Sequence, residues 1–291
     1  MAKCSITELT GRGVLRVGGD DAVRFLQDIV TNDVTKAVNG SAVHAALLTP
    51  QGKILFDFIL LDTGDEILLE CARDIIGDLV KRLTFYRLRA AVEIEDVSDT
   101  QKVWAAWGDA PQALDEAIMY TDPRLEDLGA RIIATASLDM AGAGCDVASE
   151  ADYHRHRVSL GVPEAGRDYP LGDTFPHEAD YDQLAGVDFH KGCYVGQEVI
   201  SRIQHRGTAR KRIVPVRGSA PLTSGAEITA DGATLGKLGS VAGEIGLAMI
   251  RLDRAEKAIE EGHALKADGT EIELIQPGWA GFKVPSRGGS K

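Results

Sequence analysis

Apolar residues recur at Ala22, Phe25, Leu26, Ile29 and Val30, which is the i, i+3, i+4, i+7, i+8 spacing of one helical face. A first helix is therefore expected after Gly18-Gly19, capped by Asp20 or Asp21. The period then changes. Residues 42–49, 54–62 and 67–71 are strand-like runs separated by Pro50-Gln51-Gly52-Lys53 and Thr63-Gly64-Asp65-Glu66, the turn chemistry of a β-meander. Asp74 precedes a helix that buries Ile75, Ile76, Leu79, Val80 and Leu83, and residues 91–97 return to a strand. A fainter second round places a strand at 103–107, a helix at 112–119 and a strand at 131–136. Strands with helices on one face suggest an α+β, ferredoxin-like lobe at about residues 47–136.

Ser149 opens a polar helix with Asp152 as its capping partner. Residues 163–188 combine prolines and glycines with Phe175, Tyr181 and Leu184, as in an ordered loop. Short apolar runs at 213–216, 227–229, 247–252 and 272–275 are cut by Asp231-Gly232, Gly243-Glu244 and Asp268-Gly269, the rhythm of a small antiparallel barrel. The expected organisation is a region 1–212, a barrel 213–284 and a flexible tail 285–291.

The chain has 291 residues, enough for about two domains with their own cores. Hydrophobic residues make up 44% and charged residues 26%, which excludes a wholly disordered or fibrous chain. The 32 basic and 44 acidic residues give a net charge of −12, which opposes non-specific binding along nucleic acid. No apolar run approaches the ~20 residues of a membrane span, so no membrane partner is expected. Cys4, Cys71, Cys145 and Cys193 form no Cys-x-x-Cys pair, as in a reducing compartment. The N-terminus has no basic head with an apolar stretch, and Glu8 is early for an organellar presequence. A cytoplasmic protein without a resident metal is the expectation.

The densest cluster of unusual residues is Phe189-His190-Lys191-Gly192-Cys193-Tyr194-Val195-Gly196-Gln197-Glu198. Val199, Ile200 and Ile203 then take helical spacing, so Cys193 is expected in the turn before a helix. The helix dipole and the Lys191 ammonium would both favour its thiolate. The two glycines, the lysine and the Gln197-Glu198 pair are poor core material, whereas Cys4, Cys71 and Cys145 read as ordinary small residues. Residues 202–212 hold five cations and no acid, leaving −12 − 5 = −17 for the rest. Guanidinium groups there suit carboxylate or phosphate, or form a solvated basic surface. The segment lacks interleaved aromatics, so RNA is not the expected partner. Asp57, inside the apolar run 54–61, is either an edge residue facing water or a functional acid in a cleft. Glu178, beside His177, is either loop polarity or a ligand group.

The stretch Lys191-Gly192-Cys193-Tyr194-Val195-Gly196-Gln197-Glu198 resembles the signature of the YgfZ family of folate-binding, iron-sulfur-related proteins. Those proteins are similar to the T-protein, the aminomethyltransferase of glycine cleavage. The resemblance continues through Phe25-Leu26-Gln27, Thr31-Asn32-Asp33, residues 47–53, Gly161-Val162-Pro163, Phe175-Pro176-His177-Glu178 and residues 202–212, nearly the whole chain. It implies a three-lobed T-protein-like ring around a funnel that holds tetrahydrofolate, closed by a C-terminal antiparallel β-barrel. By this resemblance Glu178 would bind the pterin edge and Arg202 or a neighbour the glutamate tail, with Gln197 and Glu198 also lining the cofactor. Cys193 and Lys191 would form the reactive site. Asp57 falls where T-proteins place a catalytic aspartate, but Phe56 stands where a second aspartate is common there. The function implied is a tetrahydrofolate-binding accessory protein for iron-sulfur cluster assembly or repair, its partners being iron-sulfur proteins or assembly factors. The alternative is a folate-dependent aminomethyl or other one-carbon transferase.

Overall fold

The structure, a computed structural model, describes residues 3–38, 40–207 and 209–286. Residues 287–291 of the expected tail, and Thr208 within the basic stretch, lie outside the described residues. The chain divides into two compact units, Met1–Tyr153 with Ala185–Gln197, and His154–Leu184 with Glu198–Lys291.

The first unit carries β1 (Ser5–Glu8), β2 (Arg12–Gly18), α1 (Ala22–Gln27), β3 (Ala42–Leu48), β4 (Ile54–Asp62), β5 (Glu66–Ala72) and α2 (Ile76–Arg87). It continues with β6 (Glu93–Asp96), β7 (Gln101–Trp107), β8 (Ala117–Thr121), β9 (Ala130–Thr135) and β10 (Asp146–Val147). Two five-stranded sheets result, in the orders β3-β4-β5-β2-β6 and β10-β1-β7-β9-β8. Strand alternation explains why β4 is apolar on both faces. Phe56, Phe58 and Leu60 pack with Phe25, Leu26, Leu79 and Leu83 from the two helices. Ile59 and Leu61 join Val14, Leu68, Val103 and Ile133 between the sheets. Full burial of such side chains is worth roughly 1.5–3 kcal/mol each.

A buried ionic group bridges the two sheets. Glu70 of β5 accepts from Arg12 at 2.9 Å, Arg131 at 2.7 Å and the Tyr120 hydroxyl at 2.6 Å. Arg131 also meets Asp122 at 3.0 Å and donates to the Tyr153 hydroxyl at 2.7 Å, while Arg124 holds Asp122 at 2.7 Å. Every charge has an opposite charge and directional hydrogen bonds, the condition for tolerating burial.

The second unit is built around a closed barrel in the order β11-β14-β13-β12-β15-β16. Its sequence-order elements include α3 (Glu150–Leu160), which begins before the division, and α4 (Gln197–Arg206). The barrel strands are β11 (Lys211–Gly218), β12 (Glu227–Ala230), β13 (Ala233–Ala242), β14 (Ile245–Arg251), β15 (Leu265–Ala267) and β16 (Thr270–Leu274), with α5 (Leu252–Glu260) after β14. The barrel closes where Val216 pairs with Leu274, leaving no free edge there. Val214, Ile228, Leu238, Ala248 and Ile250 fill its interior.

Several expectations change. The helix expected at 112–119 is strand β8, because Glu116 sits at φ 69° and Ala117–Thr121 pairs with β9. Helix α1 stops at Gln27, although Ile29 and Val30 stay buried. Asp21 does not cap α1 through its side chain; its carboxylate accepts from the Ala91 amide at 2.8 Å. Residues 47–136 are shared between both sheets rather than forming one self-contained lobe, since β2 lies between β5 and β6. Strand β13, with Gly236 and Gly239, had no apolar run to announce it. Cys4 and Cys145 are not separate thiols: they form a disulfide with Cα atoms 4.6 Å apart, where β1 and β10 run in parallel.

Candidate functional site

The loop that carries Cys193 is fixed to the first unit at both ends. Before it, Thr31 donates from its hydroxyl to the Gly186 carbonyl at 2.7 Å, Asn32 donates to the Ala185 carbonyl at 2.6 Å, and the Asp188 amide donates to the Thr31 carbonyl at 3.0 Å. Asp188 turns the chain by accepting from the His190 and Lys191 amides at 2.7 and 3.2 Å, and pairs with Lys36 at 2.6 Å. Burial raises this carboxyl, but Lys36 and the two amides outweigh it and hold it below the ordinary range.

Lys191 is buried beneath the loop. Its ammonium donates to the carbonyls of Gln27, Val30 and Asn32 at 2.8, 2.7 and 2.8 Å. Gln27 is the last residue of α1, so a cation sits where the helix dipole and the unpaired carbonyls favour one. Burial pushes the Lys191 pKa down to about 8, against the pull of Asp33 and Asp188. The expected role of Lys191 beside the thiol is thereby corrected. All three of its donors are engaged below the loop, and it positions the backbone that presents Cys193.

On the far side, Gly196 has φ +81° and lies against the turn between β3 and β4. A Cβ there would stand 2.7 Å from the Thr49 carbonyl oxygen and 3.1 Å from Gly52 Cα. Only glycine fits this approach. Between the two anchors Cys193 is exposed.

The remaining cysteines cannot play its part. Cys4 and Cys145 are bonded to each other, and burial pushes the Cys71 thiol up to about 12. Cys193 is the free, exposed thiol among the described residues.

The other nominated residues are placed elsewhere. Asp57 is 8% exposed, pairs across the sheet with Ala46, and shares the face of Ile59 and Leu61. Glu178 accepts from the Phe175 amide at 3.0 Å, capping the turn Pro176–Ala179. Gln197 starts α4 and approaches the Gly192 carbonyl at 3.5 Å. Glu198 and Arg202 pair with each other at 3.0 Å on an exposed flank of α4. Arg212, at the end of the basic stretch, is buried against Asp180 and Asp182 at 3.2 and 2.5 Å and is not part of a ligand surface.

For a folate the fit is incomplete, because the acid nominated for the pterin caps its own turn and the guanidinium nominated for the tail already has a carboxylate. Sequence reasoning missed a cleft of about 450 Å³ beside the loop, lined by Asn32, Lys36, His44, Phe189 and His190 among others. Its walls come from segments about 150 residues apart along the chain, a juxtaposition no local pattern encodes.

Comparison with known proteins joins these features. Residues 1–148 match the GCVT N-terminal domain, and residues 210–282 match the C-terminal beta-barrel domain of CAF17. The human mitochondrial iron-sulfur cluster assembly factor IBA57 is 36% identical over 93% of this chain and 84% of its own length. The chain belongs to the IBA57 family. The mouse mitochondrial IBA57 is 34% identical over 84% of this chain and 76% of its own. This IBA57-family chain also shares its fold with the glycine cleavage aminomethyltransferase T of Bartonella henselae, at TM-score 0.76, 15% identity, 96% of this chain and 87% of that one. The relatives are named IBA57 rather than YgfZ, which corrects the closer assignment while keeping the T-protein-like fold and barrel. They are mitochondrial factors, so the cytoplasmic expectation does not stand.

Proposed function

We propose that this protein is an accessory factor in iron-sulfur cluster assembly that offers Cys193 as a single thiolate ligand to a cluster in transit. Family membership supports the pathway, and one observation carries the chemistry: the one free exposed thiol among the described residues sits on a loop clamped by Lys191 on one side and Gly196 on the other. One thiolate cannot hold a whole cluster, which is bound by about four protein ligands. The remaining ligands come from an iron-sulfur protein or another assembly factor, and the cluster is cargo rather than a resident group. Exposure makes Cys193 accessible to such a partner, and the rigid loop limits the entropy lost on docking. A thiolate is the ligating form, and iodoacetamide should modify exposed Cys193 in the folded protein while sparing buried Cys71. Protection of Cys193, or equal labelling of Cys71, removes the accessible thiol from this reading.

Tetrahydrofolate binding is a separate part of the proposal, resting on the resemblance alone. Calorimetric titration with tetrahydrofolate should give saturable heat; no saturable heat in the wild-type protein would remove the folate. The transferase alternative is not favoured. It requires Asp57 to meet a substrate, whereas Asp57 lies mid-strand on the inter-sheet face.

A further inference from the structure

Helix α2 buries Ile76, Leu79 and Leu83, yet its last turn does the opposite. Phe85 is 71% exposed and Leu88, just past the helix, is 87% exposed. The Phe85 ring stands edge-on to Tyr86 with centroids 5.8 Å apart, so it is held outward against a half-buried neighbour. Leu88 has φ 49° and ψ −104°, a backbone conformation that disfavours any residue with a Cβ. Glycine would end the helix there without strain. A leucine in that position gains no burial in exchange, so the fold of the isolated chain does not account for it.

Along the chain, the charge beside these two side chains is opposite to that of the molecule. From Leu79 to Val92 the sequence holds Lys81, Arg82, Arg87 and Arg89 and no acid, in a chain of net charge −12. Lys81 pairs with Asp78 and Arg87 donates to the Val92 carbonyl. Arg82 and Arg89 are exposed, and neither has an ion pair among the described residues. The helix dipole explains cations at the C-terminal end, but neither Arg82 nor the outward Phe85 and Leu88.

We infer that the end of α2 is a docking knob for an acidic protein surface with an apolar socket that receives Phe85 and Leu88. An exposed aromatic flanked along the chain by arginines has the residue types enriched in interfaces, Leu88 adds apolar surface, and local charge complementarity selects the acidic partner. A second copy of this chain meeting patch to patch would set cation against cation. One aromatic offers no stacking series for RNA.

The test uses the full-length protein carrying a photo-crosslinking benzoylphenylalanine at Phe85, with the same group at exposed Glu256 of α5 as control. The protein captured at position 85 is then purified and its affinity measured against wild type, Leu88→Ser, Leu88→Gly and Arg82→Glu/Arg89→Glu. The expected result is at least tenfold weaker binding for each variant, with affinity falling as salt rises. Leu88→Gly should in addition raise the melting temperature of the free protein, because it relieves the backbone while losing the anchor. The inference is overturned if position 85 captures no protein beyond the Glu256 control, if the adduct is RNA or lipid, or if the purified partner binds all variants equally.

Discussion

Gly196 shows how one residue fixes the candidate site. Its φ is +81°, and a Cβ added at this position would lie 2.7 Å from the Thr49 carbonyl oxygen, so alanine must shift the Cys193 loop or strain the backbone. Gly196→Ala should therefore lower stability by roughly 1–3 kcal/mol, read as the midpoint of urea unfolding; an unchanged midpoint would show that the loop does not lie against the β3–β4 turn. The chemistry of this loop was partly legible in the sequence. Two glycines and a lysine around Cys193 marked it as unlike core, and the thiol is exposed. The role of Lys191 was not legible, because its acceptors Gln27, Val30 and Asn32 lie about 160 residues earlier. A lysine two residues before a cysteine suggests an electrostatic neighbour; here its ammonium is taken up by carbonyls at and just after the end of α1.

Among elements, the Ser149–Asp152 capping box was readable and is present, with the Ser149 amide on Asp152 at 3.0 Å and the Asp152 amide on Ser149 Oγ at 3.2 Å. Local rules suffice where both partners are three residues apart. They failed at β8, where pairing with β9 and the positive φ of Glu116 override helical spacing. The contacts between the sheets were invisible for the same reason, since Glu70, Asp122 and Arg131 are brought together only by folding. Burial acts to raise the carboxyls of Glu70 and Asp122, but Arg131 and Arg12 on the first, and Arg124 and Arg131 on the second, hold both below their ordinary values. Their folded pKa values lie below the unfolded ones, so the unfolded chain binds more protons as pH falls. This stabilisation is present above the ordinary carboxylate range near ~4 and is lost as pH drops through and below it. Thermal melts from pH 6 downward should show that loss, with a shallower acid slope in Glu70→Gln; equal slopes would place the acid sensitivity elsewhere.

At the scale of the whole molecule, the turn rhythm after residue 213 disclosed the barrel, while the two-sheet arrangement of the first unit depends on strands drawn from both ends of its sequence. The disulfide between Cys4 and Cys145 spans 141 residues, and no spacing rule finds such a pair. Reduction should lower stability by about 2–4 kcal/mol, measured as a drop in melting temperature that Cys4→Ser/Cys145→Ser reproduces; a reductant-insensitive melt would argue against the bond. The proposed handling of a cluster through one sulfur rests on membership of the IBA57 family and on the exposed thiol. The most direct measurement is the activity of iron-sulfur enzymes in cells whose copy of this protein is Cys193→Ala, with Cys71→Ser as the comparison and all variants at equal abundance. Activity should fall to the level of cells lacking the protein for Cys193→Ala and stay near wild type for Cys71→Ser, whereas full activity with Cys193→Ala would contradict the account.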